Sequence, residues 1–158
     1  MRKLDKRLLL LCIAIPLLVG ALAGFLTRNS MEVFAMVEKP SISPPAWVFP
    51  VVWTILYILM GISSYLILNS NAGERAKEGA IRIYGLQLVV NFLWPTFFFN
   101  FGWYGFSFFW ILILWVLVVV MVVWFYDINR MAGYLNIPYL IWLTFAVYLN
   151  FGIWMLNR

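Results

Sequence analysis

Five apolar runs, each about twenty residues long, constrain this chain more than any other feature. They cover roughly 8–27, 45–68, 80–100, 106–126 and 137–156, and short polar or charged segments separate them. A run of that length is what a helix needs to cross the hydrocarbon core of a bilayer. Composition points the same way. Of 158 residues, 65% are hydrophobic and 11% charged, against about 45–50% and about 25% in a soluble domain. A soluble fold of this size cannot hide so much apolar surface. The expected class is all-α: an integral membrane protein built as a five-transmembrane-helix bundle. Little chain is left outside the spans, so residues 1–158 read as a single membrane domain with a lid-like loop over 28–44. The sequence has neither a tandem repeat nor an inverted pair of broken helices.

Arg2, Lys3, Lys6 and Arg7 precede the first run, and Ala21-Leu22-Ala23 near its end imitates a signal-peptide cleavage site. A signal h-region is only about 7–15 residues. This run is longer, so it reads as a retained span. The net charge of +5 does not call for nucleic acid. The cations sit between apolar runs, where they set orientation. Arg2, Lys3, Lys6, Arg7, Arg75, Lys77, Arg82 and Arg130 fall on one side, and Arg28, Lys39 and Arg158 on the other. The positive-inside rule then puts the amino terminus in the cytoplasm, the membrane being the cell membrane. There is no histidine, which removes the commonest metal ligand and general base. Cys12 is the only cysteine, so no intrachain disulfide can form. No metal site and no required cofactor are expected. Gly20 and Gly24 form a G-x-x-x-G in the first run, a spacing that lets helices approach closely and marks a candidate homodimer contact.

The stretch Lys39–Tyr57 begins as a proline-broken loop and becomes an apolar helix. Pro44 and Pro45 stiffen the entry, and with Trp47 they form a candidate rim. Trp53, Tyr57, Gly61 and Ser64 share one helical face. Gln87, Asn91, Trp94 and Phe98 share another, and Pro95 has no N–H to give the Asn91 carbonyl four residues back. The last run carries Pro138, Trp142, Ala146 and Asn150 in a similar stripe. Faces that mix rings with a few hydrogen-bonding groups suit a pocket for a large, flat, mostly apolar ligand. Ala146 leaves room beside Trp142. Such stripes also serve as packing faces, with asparagines bonding across helices. The residues alone leave both readings open.

Taken together, K-P-S-x-x-P-P-x-W-V-F-P with Trp53 and Tyr57, then Gln87-Leu88-x-x-Asn91-x-x-Trp94 with Phe98-Phe99, then Pro138-Tyr139-Leu140-x-Trp142 with Phe145-Ala146 and Leu149-Asn150, resemble the translocator protein family. Its members are also called tryptophan-rich sensory proteins (TspO/MBR) or peripheral benzodiazepine receptors. The resemblance runs from the first span to Trp154. It implies a five-helix bundle whose pocket is closed by the first loop, usually a homodimer. It also implies binding of porphyrins, notably protoporphyrin IX, and in some members sterols or synthetic benzodiazepine-type ligands. By motif position, Trp53, Asn91 and Trp142 would line the pocket, with Tyr57, Ala146 and Asn150 close by.

Three departures stand out. Ile42 replaces the tryptophan usual after P-S, Pro95 replaces a small polar residue, and Tyr148 has no basic residue within reach to complete a sterol motif. The expected function is a membrane receptor or sensor for porphyrin, in tetrapyrrole handling or stress signalling, with lipid as its surroundings and no nucleic-acid partner. The alternatives are a light-dependent porphyrin-degrading enzyme, in which Trp53 and Trp142 would be the oxidisable rings, and a small transporter of porphyrin or lipid. Without histidine or paired carboxylates, any such chemistry would be photochemical rather than acid–base.

Overall fold

A computed structural model describes residues 3–158, so Arg2, one of the basic residues counted above, lies outside the described part. Five long helices dominate: α1 (Lys6–Thr27), then, after the short α2 (Met31–Ala35), α3 (Val48–Leu68), α4 (Glu74–Pro95), α5 (Tyr104–Ile128), and, after the short α6 (Arg130–Leu135), α7 (Ile137–Leu156). Among the described residues there is no strand. The Asp5 carboxylate starts α1 by accepting from the Arg7 and Leu8 amides at 3.0 and 3.1 Å. The Asn129 side chain caps α6 in the same way, accepting from the Ala132 amide at 3.1 Å.

Lys6–Ala35, Val48–Leu68, Tyr104–Ile128 and Arg130–Leu156 are long and apolar enough to cross a membrane. Of the five expected spans, the third does not meet that test, and its bounds also differ. The expected run began near residue 80, whereas α4 begins at Glu74. Glu74, Arg75, Lys77, Glu78 and Arg82 occupy its first turns. These charges suit a helix start rather than breaking it. Glu74 lies in the first turn, where the helix dipole favours an acid. Lys77 pairs with Glu74 at 3.2 Å, and Arg82 pairs with Glu78 one turn on. The other end changes pitch. After Pro95 the chain widens into a π turn over Thr96–Asn100 and leaves through Gly102, whose φ of 64° suits glycine.

The helix ends collect at two levels. At one, the Asp5 amide donates to the Tyr65 hydroxyl at 3.1 Å, and the Ser63 hydroxyl donates to the Ala132 carbonyl at 2.8 Å. At the other, the Asn100 carboxamide donates to the Leu26 carbonyl at 3.1 Å, and the Ser30 hydroxyl donates to Asn100 Oδ1 at 2.7 Å. Gly79, near the start of α4, lies against Trp124 near the end of α5. Thus α4 runs the full height of the bundle, about 33 Å for its 22 residues.

Met60, Ile67, Ile111, Leu114, Val118, Met121, Phe125 and Leu143 fill the centre with essentially no exposed area. Leu10, Leu11, Ile15, Leu18 and Leu22 on α1, and Ile113, Val116 and Val123 on α5, point outward. Apolar residues both inside and outside are what a bilayer solvent requires. Glycine sets the closest helix approach. A Cβ at Gly61 of α3 would stand 2.5 Å from Ile13 Cα and 2.6 Å from the Cys12 carbonyl oxygen. At Gly24 the same atom would meet nothing within 4 Å. Gly61→Leu is therefore expected to lower stability by about 1–3 kcal/mol through overpacking, and Gly24→Leu to leave it nearly unchanged. Thermal unfolding in detergent, followed by circular dichroism, checks both.

Candidate ligand site

The polar groups expected to line a pocket first bind one another. The Tyr57 hydroxyl on α3 donates to Asn91 Oδ1 on α4 at 2.9 Å. The Asn91 carboxamide donates to the Tyr139 hydroxyl on α7 at 2.7 Å. Tyr139 in turn donates to Gln87 Oε1 at 2.8 Å, returning to α4. All four side chains are buried. The chain of bonds ties three helices together across the middle of the bundle. It uses one N–H and one lone pair of Asn91, which leaves one of each for another partner.

A second carboxamide fastens the opposite level. Asn150 Oδ1 accepts from the Trp94 indole at 3.0 Å, and its amide donates to the Tyr104 carbonyl at 2.9 Å. Trp94 stacks on Phe98 with centroids 4.8 Å apart. Asn150 therefore joins α4, α5 and α7 and stands in a different cluster from Asn91.

Between α3 and α7 the contact is made by rings. Trp53 stacks on Tyr57 at 5.5 Å and meets the Tyr139 ring edge-on at 6.0 Å. Phe49 meets Trp142 edge-on at 5.8 Å. Ala146, half-buried one turn beyond Trp142, packs against the core. The Trp142 indole N–H is buried and has no hydrogen-bond partner. Trp53, Tyr57, Asn91, Trp142 and Ala146 thus border the same α3–α4–α7 seam.

The remaining expectations fare differently. Pro44 is half-buried and Pro45 exposed, both ahead of α3, which starts at Val48 rather than at Pro45. Trp47 is 69% exposed, at the cap of α3. Gly20 is occupied within the chain: a Cβ there would collide with the Tyr57 ring. At Gly24 a Cβ would meet nothing within 4 Å, so only Gly20 is needed for packing within the chain. Two residues that matter, Gln87 on the Asn91 face and Tyr139 in the quoted motif, carry no role in the expected site. Gln87 was visible at i, i+4 with Asn91. Tyr139 lies three residues before Trp142, on the face that continues through Ala146 and Asn150, whereas the stripe was counted back four, to Pro138.

Loop 28–47 is fastened over this end. The Phe34 ring packs edge-on against Phe99 at 5.0 Å and tilts against Phe98 at 5.6 Å. The Lys39 ammonium donates to the Phe34 and Val37 carbonyls at 2.9 and 3.0 Å, closing the carboxyl end of α2.

The profile of the TspO/MBR family matches residues 12–155, which includes every residue of the seam. The chain belongs to this family. It is 35% identical over 150 residues to the tryptophan-rich protein TspO of Chlorobaculum tepidum, covering 94% of this chain and 95% of that one. To the translocator protein of Homo sapiens it is 33% identical over 143 residues, 89% and 85% of the two chains. To the tryptophan-rich sensory protein of Cereibacter sphaeroides it is 35% identical over 135 residues, 80% and 77% of the two. TspO/MBR membership and the apolar helices together make this an integral membrane protein.

Within this family member the Asn91 bonds should be mutually dependent. Tyr57→Phe is expected to cost about 1 kcal/mol, and Asn91→Leu more, since it strands the buried Tyr57 hydroxyl at about 1–3 kcal/mol and also removes the bond accepted by Tyr139, which keeps its bond to Gln87. A double-mutant cycle read by thermal unfolding should show the two changes to be non-additive.

Proposed function

We propose that this protein is a membrane receptor for a porphyrin such as protoporphyrin IX, or a similar flat apolar molecule. The ligand would lie along the α3–α7 seam, beneath the loop that precedes α3. The observation that carries this reading is the Trp142 indole N–H, buried without a partner. Such a donor costs about 1–3 kcal/mol when left unpaired, and an acceptor on a ligand would remove that cost. Trp53 and Phe49 supply flat apolar faces, and Asn91 retains a spare donor and acceptor. Two relatives are named a tryptophan-rich sensory protein and a translocator protein, and both names suit a site that holds a small molecule. Neither a metal nor a cofactor is needed for that task.

The receptor would sit in the cell membrane with five spans, α4 being the third. Its charged first turns would lie at the surface, on the cytoplasmic side with the amino terminus, and the protein would pair as a homodimer. Full bundle height supports the spanning role of α4, and the basic residues at its start support the orientation.

A stacked Trp53–Tyr57 pair beside the seam also suits a second reading, in which bound porphyrin is degraded under light. Protoporphyrin IX is expected to quench the intrinsic tryptophan fluorescence of the protein saturably in detergent. Trp142→Phe should weaken binding about tenfold, the worth of one hydrogen bond in a dry site. Absent quenching would overturn the receptor reading. Under illumination in air, loss of porphyrin absorbance faster than for free porphyrin in the same detergent would favour degradation.

A further inference from the structure

The last turn of α7 and the residue beyond it hold the loop that precedes α3. The Glu38 amide donates to Asn157 Oδ1 at 3.1 Å, and the Asn157 carboxamide donates to the Glu38 carbonyl at 2.8 Å. One side chain thus satisfies both backbone groups of a loop residue 119 positions away. The same carboxamide also donates to the Ile153 carbonyl at 2.8 Å, which fixes its direction on the helix end. Five residues before Asn157 on α7, Gly152 provides a notch: Pro40, two residues after Glu38, lies where a Cβ at 152 would be, so any side chain there would displace the loop. The Lys39 ammonium ties this part of the loop back to the end of α2 through the Phe34 and Val37 carbonyls.

We propose that Asn157 is the latch of the ligand site, and that a ligand enters and leaves where Pro40 rests on Gly152. This rests on the receptor reading given above. The geometry favours release at this point over release elsewhere along the loop. Near Ser30 the chain is held by Asn100 and by the Phe34 rings against Phe98 and Phe99. At Glu38 the tie consists of two hydrogen bonds to one exposed side chain, and bonds of this kind are easily exchanged for water. Asn157 lies beyond residues 12–155, the part matched to the family, so family membership does not supply this role. It is a positioning residue: it shapes the opening and does not reach the seam.

The test uses the full chain in lipid nanodiscs with protoporphyrin IX as the probe. Amide hydrogen exchange is followed at residues 36–43 without ligand, and the porphyrin dissociation rate by fluorescence. Asn157→Ala should speed exchange of the Glu38 region about tenfold, with the amides of α3 and α7 unchanged, and should raise the dissociation rate several-fold. Asn157→Asp keeps the acceptor for the Glu38 amide and should fall between. Gly152→Leu should act like Asn157→Ala by lifting Pro40. Unchanged exchange at Glu38 in Asn157→Ala would overturn the latch whether or not porphyrin binds. Faster exchange with an unchanged dissociation rate would overturn the entry route. If the wild-type protein shows no porphyrin binding, the receptor reading fails by itself, and the exchange measurement still decides the latch.

Discussion

A polar group inside a membrane-crossing bundle must find its partner within the protein, because hydrocarbon offers none. Much of this structure follows from that constraint. Tyr57, Asn91, Tyr139 and Gln87 come from three helices and meet in one run of hydrogen bonds. Apolar packing alone would let α3, α4 and α7 rotate or slide, since leucine is as content against lipid as against leucine. The bonds select one rotation for each helix. They then dictate which rings face each other across the α3–α7 seam, and so where a flat molecule could lie.

Four of the five expected spans were readable in the sequence because hydropathy over twenty residues is a strong signal. Their ends were less so. Residues 74–79 look like a loop by polarity, yet they form the start of α4, since Glu74–Lys77 and Glu78–Arg82 are spaced for helical ion pairs. Polarity reports the depth of a residue in the membrane, and helical spacing reports its conformation; at a membrane surface the two disagree. Trp47 shows the pull of the membrane interface. A tryptophan beside two prolines was expected at a pocket rim, and it is exposed at the cap of α3, where an amphipathic ring is favoured by the interface itself. Gly20 and Gly24 illustrate the limit of spacing motifs. Their separation permits close approach without saying by what, and at Gly20 the answer is Tyr57 of the same chain.

The aromatic faces were found as faces, but their chemistry could not be divided from the sequence. Asn91 and Asn150 look alike there, each on a helix beside tryptophan. In the structure both are fasteners, in separate clusters. Which helix a carboxamide reaches depends on the rotation of its neighbours, a property of the whole bundle. Tyr139 was passed over for the same reason. Its place on the face was available by counting, whereas its role needed Asn91 to arrive from another helix.

The tryptophans of these faces differ in what their indole hydrogens meet. Trp94, Trp110 and Trp115 each give their indole hydrogen to a protein oxygen: Asn150 Oδ1 at 3.0 Å, the Val90 carbonyl at 2.8 Å and the Thr144 hydroxyl at 2.9 Å. Those three are explained by the fold. Trp142 sits on the same helix as Asn150 and Thr144, yet its buried N–H reaches neither. A residue kept only for its bulk would do as well as phenylalanine, which carries no donor to strand. The indole contributes to stability less than a phenylalanine would at that position unless an acceptor arrives from outside the chain. The cost falls on the protein as it stands, and a ligand that supplied an acceptor, as proposed above, would remove it.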